Sequence, residues 1–323
     1  MANPLFLAVV IALALAVVIV RVAAAAQEAR AEAAYPPEGQ FIDVDGTRVH
    51  ALVRGSGPDL VLLHGAGGST RDFSFAFMDF LTDRYRVIAF DRPGLGYTER
   101  PRKFSIWSRD AESPREQVRL LQAAAAKLGA DRPLVLGHSF GGAVAMAWAL
   151  ERPDALSGLI IVAGASNEWE GGLGTFYNLT ASPLGVALIN PVATAFAPDS
   201  YIEGTVAGIF APQPEPKGYA DYIGPRISAR RVTLAANGRQ VHGLKPHIIE
   251  MSAEYPSITV PVEIVHGDAD EIVPLSIHSI PLSRQIEGAH LTVLEGIGHM
   301  PQHVAPKAVS DAIDRAAARA GLR

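Results

Sequence analysis

Leu134-Val135-Leu136-Gly137-His138-Ser139-Phe140-Gly141-Gly142 is the stretch that decides how this chain is read. Three apolar residues run into a Gly-x-Ser-x-Gly pattern, and the Ala-rich stretch Ala143 to Leu150 leads out of it. A strand that turns directly into a helix has a strained backbone and brings the two elements close together, so it needs small residues. Gly137, Gly141 and Gly142 meet that demand. The turn leaves the Ser139 hydroxyl at the helix N-terminus, where the amide dipoles favour negative charge. Taken alone, the five-residue pattern arises by chance in about one chain in ten of this length. The strand before it and the helix after it carry the inference against a Gly-rich loop that merely closes a crossover.

A serine hydroxyl is a poor nucleophile at neutral pH, so a base must accept its proton and a carboxylate should orient that base. Downstream, Val262 to Asp270 reads as a strand ending in a loop with two acids, Asp268 and Asp270, and Gly298-His299 follows the next strand. Upstream, the strand Leu60 to Leu63 opens into His64-Gly65-Ala66-Gly67-Gly68. A nucleotide-binding role for that loop is disfavoured, because it has neither G-x-G-x-x-G nor a P-loop with its Lys. A zinc pair at His299 and His303 is disfavoured by the intervening Pro301 and the absence of a partnering Glu.

The order Ser, Asp, His on alternating strands and helices resembles the α/β-hydrolase superfamily over nearly everything from Phe41 to the C-terminus. The resemblance implies a mostly parallel central sheet flanked by helices, with Ser139 as nucleophile and His299 as base. The spacing Gly-x-x-Asp-x-x-Val-Pro at Gly267, Asp270, Val273 and Pro274 selects Asp270 over Asp268 to orient the base. The loop at Ala66 looks like the family's oxyanion loop, so the amides of Ala66 and Phe140 are the expected oxyanion donors. His64 is expected to orient that loop, and His138 and His266 to pack or hydrogen-bond beside the triad. Asp91-Arg92-Pro93-Gly94-Leu95-Gly96 resembles another landmark, with a structural role near the site. No cofactor or metal is implied.

Elsewhere, Asp45-Gly46 between Phe41 to Val44 and Thr47 to Val53 predicts a tight hairpin. Val87 to Phe90 and Leu159 to Val162 read as further strands, and Ser113-Pro114-Arg115-Glu116 as a capping box opening a helix toward Leu128. From about Ser166 to Ser257 the β/α alternation lapses, which predicts an inserted, mainly helical cap. A helix from about Leu275 to Ile286, the strand Leu291 to Leu294 and a helix from about Pro306 to Ala320 complete the pattern. The organisation expected is 1–34 anchor and linker, 35–165 first part of the core, 166–257 cap and 258–323 second part of the core.

Residues Leu5 to Val20 are uninterruptedly apolar, and Val22 to Ala26 extend the run past Arg21. About 22 helical residues reach about 33 Å, enough to cross a hydrocarbon core. The expectation is a single-pass N-terminal transmembrane helix, with a cleaved secretory signal ending at Ala24-Ala25-Ala26 as the alternative. With 33 acidic and 28 basic residues interspersed, the chain lacks the basic stripe that nucleic acid requires. The absence of cysteine excludes thiolate nucleophiles and disulfides.

Ser rather than Asp at the elbow disfavours the alkyl-enzyme chemistry of dehalogenases and epoxide hydrolases and favours acyl chemistry. The cap aromatics Trp169, Phe176, Tyr177, Phe196, Phe210, Tyr219 and Tyr222 are consistent with an apolar pocket or with cap core. A hydrophobic carboxylic ester is the expected substrate. Carbon–carbon bond hydrolysis, perhydrolysis or acyl transfer on the same triad, and non-catalytic ligand binding, are the alternatives. The sequence sets no oligomeric state.

Overall fold

The computed structural model describes residues 3–172 and 174–323. Eight strands form one sheet in the order β1-β2-β4-β3-β5-β6-β7-β8. They are β1 (Gln40–Val44), β2 (Thr47–Arg54), β3 (Asp59–Leu63), β4 (Arg86–Phe90), β5 (Leu134–His138), β6 (Gly158–Val162), β7 (Val262–Gly267) and β8 (His290–Leu294). The β1–β2 and β2–β4 pairs are antiparallel and every later pair is parallel. Positive φ at both Asp45 and Gly46 closes the first hairpin as a primed turn, which matches the twist of the strands it joins.

Helices cover both faces. They are α1 (Pro4–Ala34), α2 (Thr70–Ser74), α3 (Pro114–Lys127), α4 (Phe140–Glu151), α5 (Thr175–Ala181), α6 (Asn190–Phe196), α7 (Asp199–Gly208), α8 (Tyr219–Ile223), α9 (Arg231–His242), α10 (Leu244–Ser252), α11 (Ser279–Gln285), α12 (Pro301–Val304) and α13 (Pro306–Arg319). Alternation along the strands divides the core. On β3, Val61 and Leu63 join the apolar layer under α3 and α4, while Leu60 and Leu62 join the one under α13. Parallel strands covered on both faces must be apolar throughout, which is why β5 and β6 are completely buried.

Between β6 and β7 the chain leaves the sheet and runs through α5 to α10, with a π-helical turn over Gly185–Ile189. Two expectations need correction. The helix anticipated from Leu275 begins only at Ser279, because Pro281 lacks an N–H and is accommodated in a first turn, where that donor has no partner to lose. The residues read as a linker after the apolar run are the last turns of α1, which continues unbroken to Ala34. The cap aromatics also divide. Phe210 and Tyr219 are buried against Met300, whereas Phe176 and Phe196 lie 51% and 58% exposed.

Candidate active site

Ser139 stands between the end of β5 and the start of α4 with φ 54° and ψ −121°, a conformation that side-chain-bearing residues avoid and that marks a turn held by its surroundings. Two glycines make it possible. A Cβ on Gly137 would lie 2.2 Å from the Gly141 carbonyl oxygen, and one on Gly141 would lie 2.1 Å from the Leu63 oxygen. The elbow is thereby pressed against the end of β3. The loop leaving β3 is equally close, since a Cβ on Gly65 would come 3.1 Å from Ser139 Cβ and 3.5 Å from its Oγ.

His299 follows β8 and Asp270 follows β7, neighbouring parallel strands whose C-terminal ends lie side by side. His299 Nδ1 is 2.7 Å from Asp270 Oδ2. The other oxygen of Asp270 accepts the N–H groups of Ile272 and Val273, both at 2.9 Å. His266 Nε2 faces Asp270 at 3.1 Å and the Val273 carbonyl at 2.7 Å, two acceptors that require the proton on that nitrogen. Burial favours the neutral acid, yet the hydrogen bonds from His266 and His299 and the charge at His299 outweigh it and hold Asp270 well below the usual carboxylate range. Asp268 instead accepts the Gly296 N–H at 2.7 Å and belongs to the loop. Among the described residues no hydrogen bond joins Ser139 Oγ to His299, and His299 Nε2 carries no partner. Both side chains are almost fully buried.

The amides of Ala66 and Phe140 also lack partners among the described residues. For Phe140 this follows from its place at the start of α4, where the first N–H groups have no carbonyl one turn back. The Ala66 loop is fixed on three sides. His64, pushed down to about 4 by burial and by the neighbouring Arg92 charge, is neutral. Its Nε2 accepts the Arg92 N–H and its Nδ1 donates to the Gly65 carbonyl, both at 2.9 Å. The fully buried Arg92 returns two bonds, from Nε to the His64 carbonyl and from Nη2 to the Gly65 carbonyl, each 2.9 Å. Its guanidinium sits 4.3 Å from the centroid of the Phe140 ring, so one side chain ties the loop to the elbow. From the helical insertion, Asn237 on α9 accepts the Gly67 N–H at 2.8 Å.

Three further histidines, His138, His303 and His242, have hydrogen-bond partners of their own. Burial, with His299 adding to it, pushes His138 down to about 4. Its Nε2 donates to the His299 carbonyl at 2.9 Å. His303 does not pair with His299; it binds Asp72 at 2.8 Å, beside the Tyr219 hydroxyl that donates to the same oxygen at 2.6 Å. His242, on the surface, meets Asn178 at 2.9 Å.

A nearly buried serine on a strained strand-to-helix turn, a histidine oriented by a carboxylate, and two unpartnered amides beside the serine converge at the C-terminal edge of the sheet. The Alpha/beta hydrolase family pattern matches residues 60–312. The chain belongs to the alpha/beta hydrolase family. This hydrolase is 29% identical to haloalkane dehalogenase 2 of Mycobacterium tuberculosis over 294 residues, 86% of this chain and 94% of that one. It is 27% identical to an uncharacterized protein of the same organism over 300 residues, covering 87% and 81% of the two chains. Among solved structures, a bacterial membrane phospholipase A superposes with a TM-score of 0.68 at 21% identity, covering 98% of both chains. An esterase from Exiguobacterium antarcticum superposes with 0.67 at 21% identity, covering 86% of this hydrolase and 98% of its own chain. At these identities the structural likeness speaks for the fold. Local sequence did not indicate Arg92 or Asn237 as supports of the loop. Arg92 lies within a recognisable landmark, but its bonding follows from the tertiary approach of β3 and β4, and Asn237 lies 170 residues from its partner.

Proposed function

We propose that the chain is a membrane-anchored serine hydrolase acting on a hydrophobic carboxylic ester through an acyl-enzyme. His299 Nε2 takes the Ser139 proton as Oγ attacks the ester carbonyl, and Asp270 fixes the ring with the Nδ1 proton toward itself. The amides of Ala66 and Phe140 receive the oxyanion. The tetrahedral adduct collapses with loss of the alcohol, which takes the proton from His299. Water, deprotonated by the same nitrogen, then attacks the acyl-Ser139 carbonyl and releases the acid. The observation that carries this reading is the nucleophile turn at Ser139 facing the loop that holds Ala66, with His299 locked to Asp270 beside it.

The dehalogenase-like relative raises halide displacement as a rival. Attack by Ser139 on an alkyl halide would leave an ether with no carbonyl for water to attack, so turnover would stop after one cycle. Acyl chemistry has no such dead end. The helical insertion α5 to α10 serves as the cap over the site. Retention of α1 as an anchor, rather than its removal as a signal, is supported by how it is built in. Ala24 and Ala31 are buried, Glu28 pairs with Arg231 at 2.6 Å, and Glu32 pairs with Arg230 at 2.8 Å.

The test is fluorophosphonate labelling of the full chain in detergent, with the label located by peptide mass spectrometry. Label on Ser139, lost in Ser139→Ala and His299→Ala, is expected. A folded wild type that reacts with neither the probe nor a series of aryl and acyl-chain esters would overturn the reading.

A further inference from the structure

From Gly171 to Pro198 the sequence contains no Asp, Glu, Lys, Arg or His, 28 consecutive uncharged residues in a chain that is 19% charged as a whole. The helices built from this segment bury one face and expose the other. Leu184, Leu188, Val192 and Phe196 recur every fourth residue through the π-helical turn and α6, and are 61%, 47%, 47% and 58% exposed. The opposite face carries the buried Gly185, Asn190, Thr194 and Ala195. On α5, which meets this helix at 84°, Phe176 and Leu179 add to the same uncharged surface. An exposed apolar patch of this extent marks a contact with another phase or partner.

Its position selects between them. α6 packs directly on α1. Along α1 the residues from Pro4 to Ala23 are almost entirely exposed, and the first buried one is Ala24, at the end of the apolar run that closes at Ala26. If that run fills the hydrocarbon core, the domain meets α1 where the helix leaves the hydrocarbon, at the depth of the lipid headgroups. α6 lies at that depth, next to the span and without a charge to keep it in water. A helix that exposes an apolar face can lie in the interface plane with that face buried at the boundary of headgroups and acyl chains. We infer that the exposed face of α5, the π-helical turn and α6 docks into the lipid surface beside α1. The insertion that covers the Ser139 site then rests on the bilayer, and the hydrolase is held by both a span and a monotopic face. This docking is independent of the chemistry at Ser139.

Because the chain has no cysteine, single-Cys variants report one position each. Leu188→Cys and Phe196→Cys sample the face, and Ile11→Cys samples the span. Lys307→Cys, at a side chain 84% exposed on α13, is the aqueous control. The full chain, labelled with an environment-sensitive nitrobenzoxadiazole dye, is reconstituted into phosphatidylcholine vesicles with and without phosphatidylcholine bearing a nitroxide near the headgroup or near the chain end. Near-ultraviolet circular dichroism checks that each variant keeps the wild-type fold. The expected result is blue-shifted emission at 188 and 196 quenched by the shallow nitroxide, quenching at 11 by the deep one, and neither effect at 307. Quenching at 11 with 188 and 196 as water-exposed as 307 would overturn the docking face while leaving the anchor. Concentration-dependent self-quenching at 188 and 196 without nitroxide quenching would overturn it in favour of a contact between two copies of the chain.

Discussion

Asn237 sits at the joint between the insertion and the chemistry. Its Oδ1 holds the Gly67 N–H in the turn that carries Ala66, and among the described residues no other side chain accepts from that amide. Asn237→Ala is therefore expected to lower kcat about tenfold, the scale of one lost hydrogen bond felt at a preorganised donor, with little change in KM. Asn237→Asp, which keeps an acceptor at the same place, should recover most of the loss. A change confined to KM would mean that the bond serves substrate binding instead of loop placement. Asp270→Asn leaves the geometry but permits the wrong His299 tautomer, and is expected to cost roughly 10³–10⁴-fold in kcat, measured on the best ester substrate. Gly141→Ala is expected to abolish folded protein, because its Cβ would fall 2.1 Å from the Leu63 oxygen on the backbone of a central strand. These positions also show where sequence is informative. Ser139, Asp270 and His299 each terminate a local strand pattern, so short windows point to them. Arg92 lies in a recognisable landmark and Asn237 in an ordinary helix, but the bonds that both make arise only when distant segments meet.

Element boundaries were legible where capping chemistry marks them. At α3, Ser113 accepts the Glu116 N–H at 3.1 Å and Glu116 accepts the Ser113 N–H at 2.8 Å, so the capping box read from four letters is formed in full. At α11 the periodicity ran ahead of the true start, since apolar spacing carries no record of where Pro281 can be tolerated. α1 shows a different shortfall. Its apolar half is evident from composition, and the remainder up to residue 34 reads as a linker. It is instead a docked helix, because Glu28 and Glu32 find Arg231 and Arg230, about 200 residues away. Glu28 accepts the backbone N–H of Arg231 at 2.8 Å as well as Nε and Nη2 of its guanidinium, a side-on bidentate contact that orients α1 against the start of α9. A double-mutant cycle on Glu28→Ala and Arg231→Ala is expected to give a coupling of about 1 kcal/mol in urea unfolding. Glu28→Ala should also speed proteolytic cleavage in the exposed segment 36–40, which α1 restrains. Zero coupling with unchanged cleavage would mean that the Glu28–Arg231 pair does not hold α1 in place and would leave that role to the Glu32–Arg230 pair and apolar contact.

At the scale of the whole molecule, burial of neutral histidines gives the fold an acid limit that can be separated from that of its carboxylates. His64, His138 and His278 are each held down to about 4, in every case chiefly by burial. His278 Nδ1 accepts the N–H groups of Ser166 and Asn167 at 3.2 Å, bonds that a proton on that nitrogen would remove. In the unfolded chain all three would titrate near 6.5. Between about pH 6.5 and about pH 4 the unfolded state therefore binds protons that the folded state refuses, and stability must fall as pH drops through that window. Each group contributes at most one proton to the slope, ~1.4 kcal/mol per pH unit. The buried acids act elsewhere. Asp72 and Asp270 are held below the usual carboxylate range, so their contribution is lost only as pH falls further, below about 4. Urea unfolding followed by tryptophan fluorescence should thus show a steep loss of stability already between about pH 6.5 and about pH 4.5. His278→Asn, which cannot take up the proton, should flatten that slope by about one proton while lowering stability near pH 7. An unchanged slope in that variant would assign the acid sensitivity to groups other than His278, and a flat profile down to about pH 4 would mean that the histidines titrate freely in the folded protein.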